Sequence, residues 1–267
     1  MGMKHALSLL LPLAFTLGLP LVADAQAKSP GIVSTEFLSG WQNSDGMRMT
    51  AMKLVLEDGW KTYWRAPGDA GLPPRFDWTG SRNVASVVVH WPRPQLFETF
   101  GMRTVGYSGQ MILPIEIKPI NPDLPVWING EVSFGVCRDI CVPVFFDIDQ
   151  ILDTLGAPDT SIAAALLARP DPRPGVARCS IEPVLDGIRI TAEITMPQLG
   201  TDEVALFELA RQLVWVSESK NRREGATLIS SAEIVPYDSR PIAIDRSEVV
   251  ITVVSGKQAV EIIGCPG

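Results

Sequence analysis

Val126-Trp-Ile-Asn-Gly-Glu-Val-Ser-Phe134 and Val142-Pro-Val-Phe-Phe-Asp-Ile148 flank the segment Gly135-Val-Cys137-Arg-Asp-Ile-Cys141. Each flank is rich in Val, Ile, Phe or Trp and shorter than an ordinary helix, which reads as two β-strands. Between them stand two cysteines four positions apart. On a straight strand such residues lie about 13 Å from each other, whereas a disulfide needs Cα atoms within about 7 Å. When the two sulfurs are bonded, the backbone from Cys137 to Cys141 must turn back on itself, as a helical turn or a tight hairpin, and Pro143 helps to end that turn.

The same rhythm extends outward. Apolar runs at 31–39, 47–56, 60–65, 84–91 and 110–118 precede the pair. Asn43-Ser-Asp-Gly46, Glu57-Asp-Gly59, residues 66–71 and Asn129-Gly130 supply turn signals. About seven strands at this spacing predict an all-β fold, an immunoglobulin-like β-sandwich. Residues 157–161 break the pattern, and 162–168 read as a short helix with Asp159 or Thr160 as its N-cap. Arg169-Pro-Asp-Pro-Arg-Pro-Gly175 reads as a stiff linker. Further runs at 179–184, 188–194, 203–209, 213–216, 227–234, 249–254 and 259–263 predict a second, smaller β-sandwich-like domain. The expected organisation is a signal peptide at 1–27, a cysteine-bearing sandwich at 28–156, helix and linker at 157–175, and a second β domain at 176–267.

The signal peptide is read from Lys4 and His5, the apolar stretch 6–22, and the small-x-small cleavage patterns Ala23-Asp-Ala25 and Ala25-Gln-Ala27. It predicts export, with the periplasm as the compartment. The formal net charge of −7 argues against nucleic acid as a partner, since nucleic acid selects for basic surfaces.

Export makes disulfides accessible. The four cysteines, at 137, 141, 179 and 265, allow three pairings. Pairing 137 with 141 and 179 with 265 keeps each bond within one β unit. A ring of about 87 residues contributes roughly 4.6 kcal/mol through chain entropy, and one of five residues only about 2 kcal/mol. The Cys179–Cys265 bond therefore reads as structural. The Cys137–Cys141 bond is a poor staple, and a tight accessible ring exchanges readily. The alternatives for the short pair are a static hairpin clip or a pair of metal ligands.

Little else in the sequence carries chemistry. Beyond the signal stretch the one histidine is His90, which excludes most hydrolase constellations, and no phosphate-cradling or dinucleotide motif is present. Two thiols with one histidine make an incomplete zinc site, so no metal or cofactor is expected. Met47, Met49 and Met52 offer soft sulfur for copper(I), but Met47 and Met49 fall on one strand face and Met52 on the other, which reads as packing. Asp147 and Asp149 share a strand face and read as a solvated pair rather than an acid/base couple. Trp60, Tyr63 and Trp64 read as sandwich core or as part of a docking surface.

Four segments in order, Gly59-Trp-Lys-Thr-Tyr-Trp-Arg-Ala-Pro-Gly-Asp-Ala-Gly-Leu-Pro-Pro74, Trp91-Pro-Arg-Pro94, Phe100-Gly with Val105-Gly-Tyr-Ser-Gly109, and Cys137-Arg-Asp-Ile-Cys141-Val-Pro143, resemble the N-terminal periplasmic domain of the DsbD/ScsB-type thiol:disulfide interchange proteins. The resemblance spans about residues 30–150. It implies an immunoglobulin-like sandwich whose redox pair is Cys137 and Cys141. It implies a thiol-disulfide oxidoreductase that takes electrons from a membrane-embedded carrier or a thioredoxin-like module and passes them to an oxidised periplasmic thiol protein, a disulfide isomerase, a cytochrome-maturation protein or a peroxide-handling enzyme being candidate recipients. A cap loop shields the pair in that family, and here the stretch 97–107 is its expected counterpart, with Phe100, Tyr107 and Trp64 as candidate cap or docking residues. The family also leads one to expect a multi-span membrane domain and a thioredoxin-like domain. The residues up to Gly267 show neither, nor a CxxC motif, so the expectation is that a separate membrane protein supplies electrons or that the redox function has been lost. Two other function classes remain open at this stage: a non-catalytic adaptor or chaperone-like binding protein, and a copper-handling protein.

Overall fold

Where the chain alternates apolar and polar residues it forms strands, and the strands stack in pairs of sheets. The computed structural model describes residues 29–68, 70–99, 101–153, 156–209, 214–237 and 244–267. The expected signal peptide lies outside them. In chain order the first strands are β1 (Ile32–Gln42), β2 (Arg48–Leu56), β3 (Lys61–Tyr63), β4 (Arg75–Asp77), β5 (Val84–Val89), β6 (Gln95–Thr99), β7 (Met102–Ser108), β8 (Gln110–Pro119), β9 (Val126–Cys137) and β10 (Cys141–Leu152). They build a four-stranded sheet of order β1-β2-β8-β5 and a six-stranded sheet of order β10-β9-β3-β7-β6, in which β4 also pairs with β9. Leu54, Leu113 and Ile115 from the first sheet meet Trp64, Val132 and Phe134 from the second in one core. This is the all-β, immunoglobulin-like sandwich that the strand rhythm predicts.

The helix α1 (Thr160–Leu167) is capped by Asp159, whose side chain accepts from the backbone N–H groups of Ser161 and Ile162. The Ser161 hydroxyl also donates to it, and that bond first, then the backbone ones, hold the Asp159 carboxyl below its usual range. Ile162 packs on Met49 and Ala51, so β2 is buried on both faces: Met52, Leu54 and Leu56 toward the core, Met49 and Ala51 toward the helix. The proline-rich segment after the helix is docked rather than free. Its β11 (Asp171–Pro172) adds in parallel to a strand near the chain end, and Arg173 N–H donates to the Glu261 carbonyl. Proline is tolerated because β11 lies at a sheet edge.

The second sandwich comprises β12 (Ala177–Val184), β13 (Gly187–Thr195), β14 (Val204–Leu209), β15 (Val214–Val216), β16 (Lys220–Glu224), β17 (Thr227–Pro236), β18 (Val249–Ser255) and β19 (Gln258–Ile263). One sheet has the order β11-β19-β18-β14 and the other β12-β13-β17-β15, with β16 on β17. Its core, around Ile190, Phe207, Ile251 and Ile262, includes Cys179 and Cys265, which are bonded with Cα atoms 5.4 Å apart. The bond ties β12 to the chain end, where Cys179 N–H also donates to the Pro266 carbonyl.

The two sandwiches meet at Arg65, just past β3. Its guanidinium forms a two-pronged pair with Glu208 of β14, at 2.9 and 3.0 Å, and also reaches Glu261 of β19. Burial pushes the Glu208 carboxyl up, against the pull of Arg65.

One turn signal fails. Asn129-Gly130 lies inside β9, paired with Asp149 and Ile148 of β10. Gly130 is needed for a different reason: a Cβ there would lie 2.0 Å from the Asp77 carbonyl oxygen of the neighbouring chain segment.

Candidate functional site at the Cys137–Cys141 hairpin

Strands β9 and β10 stay in register over their whole length, and the last pair in the ladder is Cys137 opposite Cys141. Residues 138–140 close the hairpin, with Arg138 N–H donating to the Ile140 carbonyl. The two Cα atoms are 4.2 Å apart and the sulfurs are bonded. Of the two geometries open to so small a ring, the chain takes the tight hairpin, and the strands continue past 134 and before 142 to reach the cysteines themselves. Pro143 sits on β10, an edge strand, where a missing N–H is tolerated.

The two sulfurs differ in environment. Cys137 is 1 % exposed, covered because β9 is flanked by β3. Cys141 is exposed on the edge strand.

Strand β3 supplies the polar surroundings. Lys61 pairs directly with Cys137, and Tyr63 follows two positions on, hence on the same face. The Tyr63 hydroxyl donates to Cys137 Sγ at 2.9 Å and lies 3.2 Å from Cys141 Sγ. Its ring passes over Gly135, where a Cβ would stand 3.0 Å from the ring and 2.7 Å from Leu72 Cβ. Gly71 meets the other edge of the ring, its would-be Cβ 3.0 Å away. Two glycines thus let the Gly71-Leu72 segment and β9 close around the Tyr63 ring, a residue 2 % exposed. Burial pushes the Tyr63 phenol up, so it keeps its proton and remains a donor.

Lys61 is nearly buried. Its ammonium donates to Thr104 Oγ1 at 3.2 Å and lies 5.4 Å from the centre of the Phe97 ring, and burial lowers its pKa. In the hairpin loop, Arg138 stacks 5.1 Å from the Trp60 ring and pairs with Asp139 at 3.1 Å. Both partners are more than half exposed, so this pair adds little stability.

The other residues singled out from sequence are dispersed. Phe100 lies outside the described residues. Trp64 is fully buried in the first core, and Tyr107 is 6 % exposed with its hydroxyl donating to the Pro92 carbonyl. Neither offers a docking surface, because the period of two turns 60, 62 and 64 inward while 61 and 63 face the sulfurs. Lys61 was missed as a site residue and Tyr63 was read only as core or docking surface, although that alternation was present in the sequence. Phe97, in the expected cap stretch, does approach Lys61. Met49 and Met52 pack on opposite faces of β2, in separate clusters. Among the described residues no group of three His, Cys, Asp or Glu side chains is placed to hold a metal ion. His90 bridges β8 and the helix segment, 3.6 Å from Glu116 and 3.1 Å from Arg169. Asp149 accepts from the Trp127 indole. Among the described residues no helix is long and apolar enough to cross a membrane.

A family model described as thiol:disulfide interchange protein DsbD, N-terminal, matches residues 34–151. The crystal structure of the N-terminal periplasmic domain of ScsB from Proteus mirabilis superposes with a TM-score of 0.66 at 21% identity, covering 90% of this chain and 96% of that one. The shared fold therefore extends over both sandwiches. A marsupial T cell receptor aligns at a TM-score of 0.19 and 10% identity, over 90% of this chain and 99% of that one, too low to bear on the fold. No curated protein matches the sequence.

Proposed function

We propose, from the premise that residues 34–151 are a DsbD-type N-terminal domain, that this protein relays reducing equivalents in the periplasm by reversible exchange at Cys137–Cys141. The observation that carries the reading is an exposed cysteine bonded to a buried one, with a buried phenol in hydrogen-bond reach of both sulfurs.

In this scheme a donor thiolate attacks Cys141 Sγ, the accessible atom. The Cys137–Cys141 bond breaks as the donor–Cys141 bond forms, and Cys137 leaves as a thiolate. The Tyr63 hydroxyl, 2.9 Å from Cys137 Sγ, can stabilise that charge where it develops. The donor's second thiolate then attacks its own sulfur in the mixed disulfide and releases Cys141. Two electrons have passed to the pair, and the donor is left as a disulfide. Discharge runs in reverse: Cys141 attacks an oxidised recipient, and Cys137 attacks Cys141 Sγ to close the ring and release the recipient as a dithiol. A membrane-embedded carrier or a thioredoxin-like protein is the proposed donor, and an oxidised periplasmic thiol protein the recipient. The second sandwich, about 176–267, serves as a structural unit held by Cys179–Cys265 and docked through Arg65.

The test is trapping in the home organism. Cys137→Ala leaves an exposed thiol without its resolving partner and should accumulate a mixed disulfide on Cys141. Cys141→Ala leaves a buried thiol and should trap far less. Equal trapping by both variants, or none by either, would contradict the scheme.

A further inference from the structure

Strand β10 turns Val144, Phe146 and Ile148 into the core. Its other face carries Cys141, Pro143, Phe145, Asp147, Asp149 and Ile151, all exposed. Phe145 is 59 % exposed, and Ile140 in the hairpin loop is 66 % exposed. A bare aromatic on a twelve-residue edge strand is an aggregation hazard that folds ordinarily remove. Here it lies on the strand, and on the face, of the accessible sulfur.

The same face changes character farther along. Glu131 of β9 stands opposite Asp147 of β10 on one side and opposite Asp77 of β4 on the other. Three carboxylates in one row across adjacent strands repel one another. Among the described residues no ion pair neutralises them. Arg75 of β4, on the same face, is in the preceding row, opposite Ser133. Such a row is unfavourable in the isolated sheet and favourable against a basic surface.

We infer that this face of β10, β9 and β4 is the docking surface for a thiol-redox protein with an apolar rim around its reactive sulfur and a basic patch about 20 Å away, the length of six extended residues. The inference rests on the reading that Cys141 is the attacked sulfur. Ile140, Pro143 and Phe145 seat the rim, and Asp147, Glu131 and Asp77 meet the patch. A footprint of this length suits the small interfaces of transient redox partners.

The experiment follows reduction of Cys137–Cys141 in the full chain by three probes. These are glutathione and two extended cysteine peptides, one with lysines six residues from the cysteine and one with glutamates there. At low salt the lysine peptide should react about ten-fold faster than the glutamate peptide. That advantage should vanish in Glu131→Lys/Asp147→Lys and in high salt. Phe145→Ser should slow the lysine peptide, and in high salt, where charge steering is screened, the glutathione rate should differ by less than about two-fold between the wild type and each variant. Equal rates for the two peptides, with glutathione still reducing the pair, overturn the docking surface and leave the redox site standing. Failure of glutathione to reduce the pair overturns both. A wild-type dimer that Phe145→Ser converts to a monomer overturns the inference in favour of self-association.

Discussion

Replacing Tyr63 by phenylalanine removes one oxygen atom and keeps the ring that fills the space over Gly135. In the oxidised state the hydroxyl meets neutral sulfur, a weak acceptor, so the fold should lose less than about 1 kcal/mol. In the reduced state above the Cys137 pKa it meets a thiolate, and hydrogen bonds to charged groups contribute about 1.5–3 kcal/mol. The loss therefore falls mainly on the reduced form. With about 30 mV corresponding to 1.4 kcal/mol for a two-electron couple, the reduction potential should become about 30–60 mV more negative. The Cys137 pKa should rise by about one to two units. Because burial keeps the phenol protonated at neutral and mildly alkaline pH, any titration there belongs to the thiol. Equilibration with glutathione buffers, alkylation and intact-mass measurement read the potential, and thiolate absorbance reads the pKa. An unchanged potential together with an unchanged pKa would refute the assignment of Tyr63.

Gly135→Val should place methyl groups against Leu72 and the Tyr63 ring. Urea unfolding should show a loss of about 1–3 kcal/mol, and the potential should shift in the direction of Tyr63→Phe. Replacing Cys179 and Cys265 together by alanine should cost about 2–5 kcal/mol in thermal or urea unfolding, while the Cys137–Cys141 potential stays unchanged. His90 is held below its ordinary pKa by burial and then by Arg169, against the pull of Glu116. The unfolded chain thus takes up its proton first, and stability should fall as pH drops below about 6.5 toward the folded pKa. His90→Gln should flatten that part of the profile.

Strands with sustained apolar character, such as 47–56, 110–118 and 126–134, were readable because each satisfies a local pattern. Strands β4, β6, β7 and β16 were not, because Arg75-Phe-Asp77 or Lys220-Asn-Arg-Arg-Glu224 becomes a strand only when a neighbouring edge offers hydrogen bonds. Asn129-Gly130 carried a turn's composition yet lies mid-strand, since its glycine serves a close backbone approach. The cysteine spacing excluded a straight strand but left a helical turn and a tight hairpin open, and the pairing of β9 with β10 decides for the hairpin. Which sulfur is accessible depends on β10 being an edge and β9 an interior strand, a fact of sheet order. Tyr63 reaches Cys137 only because β3 pairs with a strand about seventy residues later. The single-residue alternation that turns Trp64 inward and Tyr63 toward the sulfurs was visible, but without that pairing nothing marked which face mattered.

The account rests on a disulfide that opens and closes while the protein stays folded, with Cys141 as the sulfur through which exchange enters. Titration of the purified protein with reduced and oxidised glutathione, with circular dichroism recorded alongside and the adduct located by peptide mass, tests this directly. The prediction is a reversible two-electron transition at Cys137–Cys141 with native dichroism throughout, Cys179–Cys265 intact, and the transient glutathione adduct on Cys141. A pair that resists reduction until the sandwich unfolds, or an adduct found on Cys137, would contradict it.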